Sequence, residues 1–241
     1  MKALIPKSMR LQIRLLQRGL RDLKNGIQAQ LARPENEIPP LPFSISLQQG
    51  LGKSAYTENK RHNLQCAFQS MAQTTLRPGQ IFSFWKLAGA PTAKNGYKKG
   101  RNLIQGSLSE DYGGGLCQLS GILYHLALQG GMEVLERHNH TRDIYEDHER
   151  FYPLGADATV VYGYKDLRLR NPFSFPVRFE FELTDEHFTA RLCSAEAIPI
   201  QQIAFERTDL PNGNKTVETW LLKSDKKKQL LAQSTYLGKD V

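Results

Sequence analysis

Four side chains are of the types that perform nucleophilic chemistry, and they lie in a workable order: Cys117, His138, His140 and Asp157. Cys117 follows Gly113, Gly114 and Gly115. It precedes a run whose leucines at 119, 123, 126 and 128 predict a helix ending at Gly130 and Gly131. A thiol at a helix start meets free backbone N–H groups and the positive end of the helix dipole, which lower its pKa. The same N–H groups can hold an oxyanion after attack on a carbonyl. The glycines would let a substrate backbone approach the sulfur and would permit the turn that aims it. Gln118 is placed as an extra donor, and Ser120 could bond within the first turn. By itself a cysteine after a flexible loop is more often buried and inert.

The segment "MEVLERHNH" supplies the thiol with partners. Read as a strand, it puts His138 and His140 on one face with Val134 and Glu136. The two imidazoles would sit about 6.6 to 7 Å apart along it, so one alone can reach the thiol. His138, nearer the body of the strand, is the expected base. Asp157, read as opening a strand "ADATVVYGY", is expected to orient its ring. His140, at the strand's end beside Arg142, is expected to bind a substrate carboxylate with it. The order Cys, His, Asp matches a cysteine triad of transglutaminase-like arrangement. A metal reading uses the same residues: Cys117, His138 and His140, with His148, could bind zinc as in a hydrolase. No second close cysteine and no H-E-x-x-H supports it, so neither metal nor other cofactor is expected.

The elements that must position these groups read as α+β. Helices are predicted over 58–74 and 118–129, and a polar Gly- and Lys-rich loop over 89–115. Strands are predicted in "IFSFW", "LRLRN", "PVRFEFEL", "HFTARLCSA", "TVETWLLKS" and "KQLLAQSTYL", with a turn at Asp225 and Lys226. The expected arrangement is a single mixed domain, its cysteine at the N-terminus of a helix packed on a mainly antiparallel sheet. Ahead of it, residues 8–32 place Met9, Ile13, Leu16, Leu20, Leu23, Ile27 and Leu31 on one helical face, with Arg10, Arg14, Arg18 and Arg21 as a basic stripe. Such a helix could lie on an anionic membrane surface, although packing against the protein's own body is its commoner fate. A proline-rich connector follows at 33–43. The expected division is 1–43 for helix and connector, 44–195 for the main domain and 196–241 for a C-terminal β extension packed on it.

The chain of 241 residues can bury a substantial core, and its formal charge of +8 favours anionic partners. Its three cysteines, Cys66, Cys117 and Cys193, form no disulfide framework, which suits a reducing compartment or a free reactive thiol. Cys66 falls within a helix, and Cys193 on the polar face of a strand read as an edge. No stretch approaches the ~20 apolar residues of a membrane span, and the N-terminus does not read as a cleaved signal. The expected location is cytoplasmic, or peripheral on the inner face of the cytoplasmic membrane.

Four stretches, "LRPGQIFSFWKLAG", "GGGLCQLSGILYHLAL", "LERHNHTRD" and "GADATVVYGYKDLRLRNPFSFPVRF", together resemble the VanW family over roughly residues 44 to 195. The resemblance implies cell-wall biology. Some proteins with this domain behave as L,D-transpeptidases acting on peptidoglycan stems through the family's cysteine, which here is Cys117. The implied partner is a stem peptide or a lipid-linked precursor, with no nucleic acid. A non-catalytic precursor-binding module is the alternative. Gly121 and Ile122 replace the hydroxyl-bearing pair common after the family's Gln-x-Ser.

Overall fold

The computed structural model describes residues 6–52, 54–104, 107–143, 150–224 and 227–238. The elements in chain order are α1 (Lys7–Lys24), α2 (Ile27–Gln30), β1 (Phe43–Gly50), α3 (Thr57–Ala72), β2 (Thr75–Leu76), β3 (Ile81–Ser83) and α4 (Phe84–Ala88). They continue with β4 (Lys99–Ile104), β5 (Ser107–Tyr112), α5 (Leu116–Gln129), β6 (Glu133–Glu136), β7 (Arg168–Arg170), β8 (Val177–Leu183) and β9 (His187–Ser194). The chain closes with β10 (Gln202–Asp209), β11 (Lys215–Leu222) and β12 (Lys228–Tyr236). The class is α+β, as expected.

The main sheet has the order β1-β9-β8-β2, and every pairing is antiparallel. The alternation in β8 turns Val177 and Phe179 inward, and β9 adds Phe188, Ala190 and Leu192 to the same core. Helices α3 and α5 pack on this layer. Leu64, Phe68 and Met71 are the buried row of α3, and Leu119, Ile122, Leu123 and Leu126 are fully buried in α5. Helix α5 is apolar on nearly every side, which is the pattern of a helix enclosed by its own protein. It ends in a Schellman turn: Gly131 takes φ 69°, Met132 N–H donates to the Ala127 carbonyl at 2.9 Å, and Gly131 N–H to that of Leu128 at 3.2 Å. A smaller antiparallel sheet, β3-β7-β6, leads from α5 to the site. The C-terminal strands form a third sheet, β10-β11-β12, whose Ile203 and Phe205 pack against the core.

Several elements differ from expectation. The stretch read as a loop before the cysteine folds as the hairpin β4-β5. "IFSFW" is strand only to Ser83, whose side chain then caps α4 by accepting from Lys86 N–H. "ADATVVYGY" contributes no strand; its one ladder contact is the bridge between Val161 and Lys165. Strand β10 carried no expectation of its own. Cys193 is buried in β9, a central strand flanked by β1 and β8 and not an edge. The turn expected at Asp225 and Lys226 lies outside the described residues, as does His148.

The N-terminal helix departs most from its commoner fate. It is interrupted at Gly26, which takes φ 69°, and α1 docks with its apolar row outward. Met9, Ile13, Leu16, Leu20 and Leu23 are 41 to 68 % exposed. The inward side is polar and small-apolar. Arg18 grips Glu136 through two bonds of 3.0 and 2.7 Å, Asp22 grips Arg168 through two of 2.7 Å, and Leu11 and Leu15 cover Gly163. Among the described residues no helix is long and apolar enough to cross a membrane.

Candidate functional site

Cys117 is the second residue of α5, in the first turn, where backbone N–H groups have no intrahelical acceptor. The N-cap is Gly115 with φ 99°, a left-handed conformation that side chains with a β-carbon resist. What lies over these glycines is the protein itself. A β-carbon on Gly115 would come within 2.7 Å of Lys60 Cγ, and one on Gly113 within 2.9 Å of Pro91 Cβ. The Gly114 carbonyl accepts from Asn63 Nδ2 at 3.1 Å. The tripeptide therefore shapes the helix entry through close packing of its own chain. The open approach expected over it is occupied by Lys60 and Pro91.

The thiol is partly exposed. Its sulfur lies 3.5 Å from the Thr159 hydroxyl and 3.7 Å from the Val160 carbonyl. The imidazole of His140 lies near enough for its charge to act on the thiol. His140 Nδ1 meets Asp157 Oδ2 at 2.6 Å, and the same oxygen accepts the His140 backbone N–H at 2.8 Å. A carboxylate can only accept, so Nδ1 carries the proton in that bond and Nε2 is the nitrogen left for sulfur. Asp157 Oδ1 accepts from Arg137 Nη2 at 2.9 Å and from the Tyr236 hydroxyl. Both carboxylate oxygens are thus doubly engaged.

The pairing expected of His138 with Asp157 is made by His140. The reason is local. A bulge falls between Val134 and Glu136, and β6 stops at Glu136 because β7 offers it no further partner. Side chains beyond that point no longer alternate across a sheet. His138 turns to Glu136, its Nε2 3.0 Å from Oε1, on the side where Arg18 of α1 binds the same carboxylate. Arg137 turns inward beneath the loop. It donates to the Asp157 carbonyl at 2.7 Å, the Gly155 carbonyl at 3.0 Å and the Ser234 hydroxyl, and it lies 4.8 Å from the Tyr124 ring centroid. Thr159 N–H donates to the His138 carbonyl at 2.7 Å, and Ser120 Oγ to the Ala158 carbonyl at 2.6 Å. These bonds fasten the histidine loop and the 155–160 segment to the start of α5.

Charge follows geometry. Burial by itself pushes the Cys117 thiol up, but the His140 hydrogen bond and charge outweigh it and leave the thiol below its ordinary value. Burial pushes His140 down, but Asp157 and Cys117 together hold it up at about 10. Asp157 resists burial in turn because His140 and Arg137 keep it ionised, well below the usual carboxylate range. These shifts favour the ionised form of the thiol, the protonated form of His140 and the ionised form of Asp157. Such a group is equipped to attack an electrophilic carbon and then deliver a proton to a leaving group.

The other expected binding residues are engaged elsewhere. Gln118 Nε2 donates to the Gly50 carbonyl at 2.7 Å, tying α5 to the end of β1. Arg142 bridges to Leu237 and donates to the Gly238 carbonyl at 3.4 Å. Among the described residues no three His, Cys, Asp or Glu side chains converge as a metal site, since His138 faces Glu136. Arg137, Thr159, Tyr236 and Lys60 carried no expectation. Arg137 stands inside the motif that singled out the histidines. Lys60 donates from Nζ to the Leu51 carbonyl, and burial lowers it to about 8. Tyr236 had no local signal.

Residues 59–193 match the family model described as VanW like protein. Over 154 residues the chain is 32% identical to the uncharacterized protein YoaR of Bacillus subtilis strain 168, covering 60% of this chain and 49% of that one. Over 131 residues it is 31% identical to the vancomycin B-type resistance protein VanW of Enterococcus faecalis strain ATCC 700802 / V583, covering 54% of this chain and 48% of that one. The match therefore spans about half the length of these curated relatives. No solved structure matches. With its glycine-fed cysteine, histidine loop and Asp157 all inside the matched stretch, the chain belongs to the VanW family.

Proposed function

We propose that this protein is a cell-wall cysteine acyltransferase or peptidase, with Cys117 as nucleophile, His140 as its base and Asp157 as the residue that orients His140. The observation carrying this reading is the 2.6 Å bond of His140 Nδ1 to Asp157, with Cys117 in the first turn of α5 and that imidazole lowering its thiol. The resistance protein among the relatives supports a cell-wall setting. The proposed substrate is a peptidoglycan stem peptide or its lipid-linked precursor. In the first step the thiolate sulfur bonds to a peptide carbonyl carbon, and oxygen takes the electron pair beside the first-turn N–H groups. Collapse breaks the C–N bond, and the imidazolium proton passes to the leaving amine. An acceptor amine or water, deprotonated by His140, then displaces the thiolate from the thioester.

Intact-protein mass spectrometry after incubation with a disaccharide-tetrapeptide tests this. An adduct mapping to Cys117, absent from Cys117→Ala and from His140→Ala but present in His138→Ala, is expected. A protein that binds the muropeptide with no adduct in any variant would instead be a binding module, and the catalytic reading would be abandoned.

A further inference from the structure

Helix α1 spends its polar side on the protein and leaves its apolar side open. The two ion pairs Arg18–Glu136 and Asp22–Arg168 fix its rotation, so Met9, Ile13, Leu16, Leu20 and Leu23 form one outward row. From Met9 to Leu23 the row runs about 21 Å along the helix. An apolar row of that length, each member roughly half exposed, is not a scatter of single surface residues. We infer that this face docks on an anionic lipid surface, the helix lying in its plane.

The charges beside the row choose the occupant. The steps of four and three between its members would also suit the seam of a two-helix coil with a second copy. Such a seam needs opposite charges along its flanks. One flank here holds Arg10, Gln17 and Lys24, and the other holds Gln12 and Gly19. The helix has a single acid, Asp22, and it is buried against Arg168 on the far side. An antiparallel pair would set Arg10 against Lys24 of the second copy, and a parallel pair would set Gln17 and Lys24 against Gln12 and Gly19, so neither places an opposite charge across the seam. An anionic headgroup layer supplies what is missing, because the row would enter the acyl boundary while exposed Arg10, Arg21 and Lys24 on its flank reach phosphate. Arg18, at the helix middle, binds the strand that runs directly into the histidine loop, so docking would hold that loop at a fixed distance from the surface. The inference does not depend on the chemistry proposed for Cys117.

Co-sedimentation of the full chain with vesicles decides it. One set is pure phosphatidylcholine and the other phosphatidylcholine mixed with phosphatidylglycerol. Binding to the anionic set alone, released by salt, is expected. Leu16→Ser with Leu20→Ser should abolish it, while circular dichroism and Cys117 alkylation stay unchanged. Arg10→Gln and Lys24→Gln should each weaken it about fivefold. Failure of the parent protein to bind the anionic vesicles would overturn the inference, the face then awaiting a protein partner. So would a dimer in sedimentation velocity that the Leu16 and Leu20 changes dissociate, which would mark the face as a self-association seam.

Discussion

Replacing His140 by Ala removes the group that keeps the Cys117 thiol ionised and leaves the burial that opposes ionisation. The inflection for alkylation should then move up, to at least the ordinary thiol value of about 8.5. At pH 5.5 that leaves a thiolate fraction of about one in a thousand. A thiolate of higher pKa is intrinsically more nucleophilic, so part of each tenfold loss of thiolate is returned. At a pH below both inflections the net loss of rate is about three- to fourfold for each pH unit that the inflection moves, and it is much smaller near pH 8. The sign differs for the two groups. The lowered thiol is ionised from below its ordinary value upward, and the raised imidazole keeps its proton until pH nears about 10. The parent protein should show a broad plateau between these limits. Peptide mapping of iodoacetamide-treated protein over a pH series reads Cys117 apart from Cys66 and Cys193, whose thiols burial pushes up. An unchanged inflection in the His140 variant would refute the ion-pair argument, whatever its effect on turnover.

His138→Ala should leave the Cys117 inflection where it is, because that ring faces Glu136; movement in the alkylation profile would contradict this. Tyr236→Phe deletes one bond to Asp157 and should cost about 1 kcal/mol in denaturant unfolding, with a small rise in the Cys117 inflection. Gly115→Ala must hold a β-carbon at φ 99° and push Lys60 aside, so a loss of about 1 to 3 kcal/mol is expected; an unchanged urea midpoint would deny the strain.

The sequence revealed the helix of the cysteine and the strands β8 and β9 through their apolar patterns, though not that the two strands pair. It did not reveal which histidine reaches the thiol. That depended on where β6 ends, and β6 ends where the three-residue β7 stops pairing with it. Past that point the two-residue period has no sheet to act on, and Asp157, Thr159 and Thr235 position the loop instead. The stretch after Asp157 reads as strand for a similar reason. Ala156, Ala158 and Val160 in it are buried, but its backbone serves the loop and Ser120, with no neighbouring strand. Hairpin β4-β5 was hidden by its polar, glycine-containing composition. For α1 the apolar stripe was plain, yet a stripe says which side is apolar and not which way it faces. Arg18 and Asp22 decide that, through carboxylate and guanidinium partners more than a hundred residues away.

The groups proposed to react and the groups that steady them come from different parts of the chain. Cys117, His140 and Asp157 fall inside the matched stretch, whereas Ser234 and Tyr236 come from β12, beyond it. The link between them is Arg137, nearly enclosed, with bonds to Asp157, to the Gly155 carbonyl and to Ser234. A lone guanidinium so placed would be costly, and so would a lone carboxylate; together, with their remaining hydrogen-bonding positions filled, each offsets the other's desolvation. Asp157 with both oxygens engaged is held against His140 Nδ1, which leaves Nε2 as the ring nitrogen open to another partner. The C-terminal sheet thus acts on the thiol at one remove: it holds the carboxylate, the carboxylate holds the imidazole, and the imidazole lowers the Cys117 thiol.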